Sequence, residues 1–133
     1  MVILSDVLDD FINVLKQDAH FKEYKILKAY PYITKPTRLS KVILCISLGE
    51  VNGDSIGVGD NYIYGNYKIN IDIFVPFSMG ANSISKIFNN IIDTCSDNLP
   101  ISISTSEITA DGTTLCFTAR CSLAFNNLLS LGA

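Results

Sequence analysis

The chain has 133 residues, a net charge of −3 and a pI of about 4.9, and its length predicts one domain that folds without disulfides or a metal. No apolar run approaches the roughly 18 residues of a membrane-spanning helix, and the acidic N-terminus is unlike a signal peptide. These features argue against a membrane protein and predict a soluble protein made in the cytoplasm. The richness in Ile, Asn and Lys is typical of an AT-rich bacterial genome.

Charged residues make up 17% of the chain, against about 25% in typical globular domains, while hydrophobic residues reach 48%. Sparse charge indicates that other subunits cover part of the surface, although a surface rich in Asn, Ser and Thr would also explain it. The charge is also uneven, because residues 24–49 carry +5 and leave −8 for the rest of a chain whose net charge is −3. This asymmetry predicts a polar assembly surface or a contact with a polyanion.

One helix and two extended segments are predicted in the first part of the chain. Residues 3–18 should form an amphipathic helix, because their large apolar side chains recur at helical spacing. Residues 24–33 should be extended, since Pro31 and Pro36 prevent a helix across this stretch. Residues 42–51 form a short apolar run rich in β-branched side chains, which predicts a central strand buried on both faces.

A glycine-rich segment follows. Residues 49–66 contain five glycines, and we expect them to form a flexible, irregular arm with a hairpin tip at Asn52-Gly53. The segment contains GxG but not the GxGxxG of a dinucleotide site, so an arm is favoured over a phosphate cradle. The polar and aromatic residues of the arm are interface candidates: Asn52, Gly53, Asp54, Asp60, Tyr62 and Tyr64.

An alternating strand and a second helix are predicted next. Apolar and polar residues alternate over residues 66–75, which is typical of a strand with one face in the core. A helix should begin at Asn82 or Ser83, because either side chain can cap it. Its apolar residues fall on one helical face: Ile84, Ile87, Phe88, Ile91, Ile92 and Cys95.

The C-terminal part is predicted to be a β-hairpin. Strands at 101–110 and 113–125 should be joined by a two-residue loop at Asp111-Gly112, and the tail after Asn126 should be frayed. The predicted order is therefore α-β-β-(loop)-β-α-β-β. It indicates a single α+β domain over residues 1–133, with a mixed, mainly antiparallel sheet packed against two amphipathic helices.

The chain shows no constellation of residues that predicts catalysis, a metal or a cofactor. His20, the only histidine, lies in a polar stretch without a nucleophile signature such as GxSxG, so a surface position at a helix end is favoured. The four cysteines form no CxxC pair and are predicted to be small buried hydrophobes, with Cys116 and Cys121 on opposite faces of one strand. We therefore expect a protein that is not an enzyme.

The basic stretch supplies the second set of interface candidates: Lys25, Lys28, Lys35, Arg38 and Lys41. Tyrosines are interleaved with these cations, and such a composition can bind a phosphate backbone and stack bases. The acidic pI opposes a free DNA-binding domain. Two other interpretations are a solvated edge strand whose lysines prevent aggregation, and a charged contact with a neighbouring subunit.

In its length, its order of elements and the placement of the proline and glycine residues between them, the chain resembles the tail terminator family of tailed phages and the collar proteins of headless contractile bacteriocins. The resemblance covers about residues 1–125. It rests on seven segments in this order: ILSDVLDDFINVLKQ, KAYPYITKPTRLSK, VILCISLGEV, the glycine-rich arm 52–66, YKINIDIFVPF, SISKIFNNIIDTC and ITADGTTLCFTARCSLAF.

This resemblance implies a homo-oligomeric ring, expected to be a hexamer, that sits on the last ring of a tail tube and ends its polymerisation. The implied partners are further copies of the chain, the tube protein and, in a contractile tail, the sheath protein, with a passing contact to DNA in the lumen. Neck and tube proteins of the same kind of particle are alternatives, and short predicted strands favour a terminator over a tube subunit. A small ligand-binding domain or enzyme with loop 49–66 as a lid is the alternative of a different class.

Overall fold

The computed structural model describes residues 2–28, 41–55, 62–95, 99–112 and 115–130. In this part of the chain seven strands form one sheet, and two α-helices pack against it. The strands are β1 (Val2–Ile3), β2 (Lys25–Lys28), β3 (Ile43–Ser55), β4 (Tyr62–Pro76), β5 (Ser102–Thr105), β6 (Thr109–Asp111) and β7 (Cys116–Ser130). The helices are α1 (Val7–Gln17) and α2 (Asn82–Thr94).

The central strand of the sheet is β4. It pairs antiparallel with β3 on one side and with β7, over its whole length, on the other. On the outer side of β3 lies β2, which is parallel to it. Three short strands, β1, β5 and β6, share the far side of β7. The predicted α+β fold, with a mixed and mainly antiparallel sheet and two helices, is confirmed.

The core lies between the helices and one face of the sheet. In β4 every second residue from Tyr67 to Val75 is at most 4% exposed, which confirms the predicted alternation. The predicted apolar stripe of α2 also faces the core, where Ile84, Ile87 and Ile91 are buried. Full burial of such a side chain stabilises the fold by about 1.5–3 kcal/mol, so this layer provides most of the driving force for folding.

Only the first part of β3 is buried on both faces. Ile43, Leu44 and Ile46 are buried, whereas Leu48 is exposed. The reason is the length of β2, which pairs only with residues 43–46 of β3. The prediction of a central strand buried on both faces over 42–51 is therefore wrong for its second half.

The predicted irregular arm is largely a β-hairpin. Residues 49–55 continue β3 and residues 62–66 begin β4, while 56–61 lie outside the described residues. The predicted tip at Asn52-Gly53 is wrong, because these residues pair with Asn66 and Gly65 in mid-strand. Residues 62–66 also pair with β7, and a strand held on both sides forms despite its glycine.

The start of α2 differs from the prediction in its cap. Neither Asn82 nor Ser83 caps the helix, because the helix already begins at Asn82 and has Ala81 at the N-cap position. The Ser83 hydroxyl instead donates to the carbonyl oxygen of Met79 at 2.9 Å. Gly80, with φ of +81°, turns the chain into the helix, a conformation that favours glycine.

Three features of the C-terminal part correct the prediction. The strand predicted at 101–110 is two strands, β5 and β6, because the ladder is interrupted at Ser106, whose hydroxyl accepts the Arg120 backbone N–H at 2.8 Å. The loop is longer than two residues, since Asp111 pairs with Cys116. The tail is not frayed: β7 continues to Ser130 because β1 and β4 flank its last residues.

Candidate interface surfaces

The sheet face opposite the helices, here called the open face, carries a row of paired polar side chains. The Arg120 guanidinium donates from Nε to Oδ1 of Asp72 at 2.7 Å and from a terminal nitrogen to Oδ2 at 3.0 Å. The Ser122 hydroxyl donates to Asn70 at 2.7 Å. The side-chain hydrogen bonds with Asp72 raise the pKa of Arg120. The open face therefore carries paired polar side chains beside a small apolar cluster that includes Ile43 and Phe74.

A groove of about 520 Å³ lies on the open face, beside the segment that links β5 to β6. Its lining includes the Asp72–Arg120 pair together with Ser106, Glu107 and Thr118. Since Asp72 and Arg120 compensate each other, the exposed Glu107 leaves the groove with an excess of negative charge. Sequence reasoning missed this groove, because Asp72 and Arg120 are 48 residues apart and meet only through the register of β4 and β7.

Three of the five basic candidates lie in the described part of the chain, and they do not share one surface. Lys25 and Lys41 are exposed, whereas Lys28 donates to Oδ1 of Asp9 in α1 at 3.3 Å. Alternation along β2 explains the difference, because Lys25 and Lys28 point to opposite faces of the sheet. Lys35 and Arg38 lie outside the described residues.

The candidates from the predicted arm lie in the β3–β4 hairpin. Asn52, Gly53 and Asp54 are exposed in β3, and Tyr64 is 54% exposed in β4, where its hydroxyl accepts a hydrogen bond from the Asn126 side chain at 3.1 Å. The backbone of Tyr62 pairs with β7. Asp60 lies outside the described residues. The hairpin thus presents an exposed polar and aromatic ribbon.

An exposed apolar edge is a surface that sequence reasoning did not single out. Every residue from 101 to 110 is exposed, including Ile101 at 61% and Ile103 at 40%. Ile108 in the same range and Leu99 just before it are exposed as well. Residues 101–110 are predicted to be a strand, but local sequence does not distinguish an edge strand from a covered one.

His20 lies on the surface at the short 3-10 turn Ala19–Phe21, in agreement with the prediction. Its backbone N–H donates to Oδ1 of Asp18 at 2.8 Å, and its ring Nδ1 lies 2.7 Å from the same oxygen. These hydrogen bonds, the backbone one first, lower the pKa of Asp18. The Asp18 side chain accepts the His20 backbone N–H and so caps the Ala19–Phe21 turn.

The cysteine side chains behave as hydrophobes. Cys95, Cys116 and Cys121 are buried and Cys45 is half-buried, and none of the four forms a disulfide. Burial, together with the neighbouring Cys95, raises the pKa of Cys121 to about 11, which keeps this thiol protonated and poorly nucleophilic at neutral pH. Cys116 and Cys121 lie in two separate apolar clusters, in agreement with their predicted opposite faces.

The part of the chain that the structure describes contains no group of three His, Cys, Asp or Glu side chains that could hold a metal ion. No helix among these residues is long and apolar enough to cross a membrane.

Comparison with known proteins adds little to the surfaces just described. No protein-family model and no curated protein matches the chain. One solved structure, whose name describes no function, is 14% identical to this chain and covers 89% of it and 94% of its own length, with a TM-score of 0.46. A likeness at this level carries no argument about function, which must be inferred from the surfaces themselves.

Proposed function

We propose that this protein is a structural subunit of a phage tail or phage-tail-like particle, a tail terminator or collar protein that forms a ring on the end of the tail tube. The observation that carries the proposal is the exposed apolar edge, residues 99–108. Monomeric proteins rarely expose contiguous apolar surface of this kind, and an exposed strand edge readily pairs with another chain. Assembly into a ring would cover it.

The hairpin and the basic residues supply further contact surfaces for such a ring. The ribbon around Tyr64 is exposed, so a neighbouring copy or the tube protein can reach it. Lys25 and Lys41 offer charge for a contact with another subunit or, in a particle that carries DNA, for a passing contact with it. The sheath protein is a further partner if the tail contracts.

A tube subunit is the second candidate, and the strand lengths favour it. The predicted strands were short, whereas β3, β4 and β7 have 13, 15 and 15 residues. Long strands suit a subunit that contributes to an inner barrel, so the prediction of short strands is wrong and no longer favours a terminator. The difference between them is polymerisation: a tube subunit stacks into filaments, and a terminator forms one ring and stops.

The candidate of a different class, a ligand-binding domain or enzyme with a lid at 49–66, has less support. Strand pairing engages residues 49–55 and 62–66, which leaves a lid at most the segment between them. The groove beside Glu107 is a conceivable ligand site, but its Asp72 and Arg120 already satisfy each other.

We expect the purified protein to form a closed oligomer, with six copies as the expected number, because association buries the apolar edge. Mass photometry over a range of concentrations tests this expectation, and thermal unfolding with a panel of metabolites tests the alternative. A monomer at every concentration whose melting temperature rises with one metabolite would favour the ligand-binding class. Long filaments instead of a closed oligomer would favour the tube subunit.

A further inference from the structure

We propose that neighbouring copies of the chain bind each other through the two opposite edges of the sheet. The outer edge formed by β5 and β6, here called the acidic edge, lies against the outer edge formed by β2 and Lys41, here called the basic edge, of the next copy. This inference rests on the proposed ring, and it specifies which surfaces close it.

In the described part of the chain, each of the two edges is formed by strands that pair with the sheet on one side. The strand order places β2 at one end of the sheet and β5 and β6 at the other. Among the described residues, β2 pairs only with β3, while β5 and β6 pair only with β7. Backbone N–H and C=O groups on the outer side of an edge strand such as β2 or β5 can hydrogen-bond to a strand of another chain.

The charges of the two edges are opposite. At the acidic edge the described residues 99–112 contain two acids and no Lys, Arg or His, whereas at the basic edge residues 25–28 and 41 contain three lysines and no acid. In the described residues the exposed cations Lys25 and Lys41 and the exposed acid Glu107 take part in no ion pair within the chain. Complementary charge of this kind favours one docked arrangement over others.

The unpaired charges also lie on the same side of the sheet. Lys25 lies beside Ile43 in the sheet, and Ile43 lies beside Phe74. Residues paired in this way point to the same face, and this face is the open face, to which Asp72, two residues from Phe74, also points. Glu107 lines the groove on the open face beside Asp72. If two sheets meet edge to edge with their open faces on one side, the lysine of one copy and the glutamate of the next come together.

Apolar side chains add to this contact. Ile101 and Ile103 are exposed at the acidic edge, and Ile26 and Leu27 of β2 are only half-buried. Burial of this apolar surface contributes affinity, while the charges set the pairing. Because each copy uses two different surfaces, the contact is head-to-tail, and repeated contacts close a ring when the rotation between copies permits it.

The test uses two charge-reversed variants of the full chain, Lys25→Glu/Lys41→Glu and Glu107→Lys, and sedimentation velocity. Each variant alone juxtaposes like charges, so we expect the concentration for half-maximal association to rise about tenfold or more. In an equimolar mixture each contact between the two different variants again joins opposite charges. We therefore expect association to return to near the wild-type level, with the two variants alternating. Lys86→Glu, on the exposed face of α2, is the control and should change nothing.

Several outcomes would overturn the inference. A wild type that stays monomeric at all accessible concentrations contradicts it, as do variants that associate normally while circular dichroism shows an intact fold. Two weakened variants that do not rescue each other would also contradict it. Salt-dependent binding of duplex DNA, lost in the lysine variant while association is retained, would assign the basic edge to nucleic acid. A reciprocal rescue in a protein that does not act on tail tubes would keep the inference and remove the proposed function.

Discussion

Replacing Leu129 with alanine should lower the free energy of unfolding by about 2–5 kcal/mol, the usual cost of removing a buried leucine side chain. Leu129 is 0% exposed and belongs to the main core, although it lies only four residues from the C-terminus of the sequence. It is held there because β7 pairs with β4 and β1 at this point. Since a domain of this size has a total stability of about 5–15 kcal/mol, the loss would be a large part of it.

Urea unfolding followed by circular dichroism measures this change, and the neighbouring Leu128 provides the control. Leu128 points to the opposite face of the strand and is only half-buried, so Leu128→Ala should cost clearly less than Leu129→Ala. Equal, small effects of the two substitutions would mean that the last strand is frayed after all.

Replacing Gly65 with alanine should destabilise the β3–β4 hairpin, by about 1–3 kcal/mol or more. A Cβ atom at Gly65 would collide with the backbone of Asn52 and Gly53 on the paired strand. Backbone atoms cannot rotate away as a side chain can, so the two strands would have to separate at this position. Gly65 therefore permits a close approach of the two backbones that no other residue allows.

Alanine substitutions at two other glycines serve as controls for Gly65→Ala. An alanine at Gly49 would meet the movable side-chain amide of Asn70, at 2.8 Å, and should cost less. An alanine at Gly112 would meet nothing within 4 Å and should leave the stability almost unchanged. The melting temperatures of the three variants should follow this order. If Gly65→Ala is as stable as Gly112→Ala, the hairpin pairing at Gly53 and Gly65 is incorrect.

The parts of the fold that sequence predicts well are those whose periodicity comes from one-sided burial. The alternation in β4 and the helical spacing in α2 reflect a single buried face each, and a local pattern suffices to read them. The prediction of an irregular arm at 49–66 relied on its glycines and is largely wrong, because a flexible loop and two closely paired strands can both be rich in glycine. The ladder partner that distinguishes them, β7, lies some 60 residues further along the chain.

The interface surfaces were predictable to a smaller extent. The charge imbalance of the basic stretch is visible in the sequence, but the separation of Lys25 from Lys28 onto opposite faces depends on β2 being a strand. The exposed edge at Ile101 and Ile103 could not be predicted, since the same alternating pattern occurs in covered strands. Edge position is decided by topology, and local sequence carries little information about it.

The most direct test of the proposed terminator function is electron microscopy of tube assembly in the presence of the purified protein. Tube protein from the same particle is allowed to polymerise with and without it, and the tube ends are imaged. We predict a ring, with six copies as the expected number, at one end of each tube and tubes that stop growing when the protein is present. Tubes with unchanged lengths and bare ends, or incorporation of the protein along the whole tube wall, would contradict the proposal.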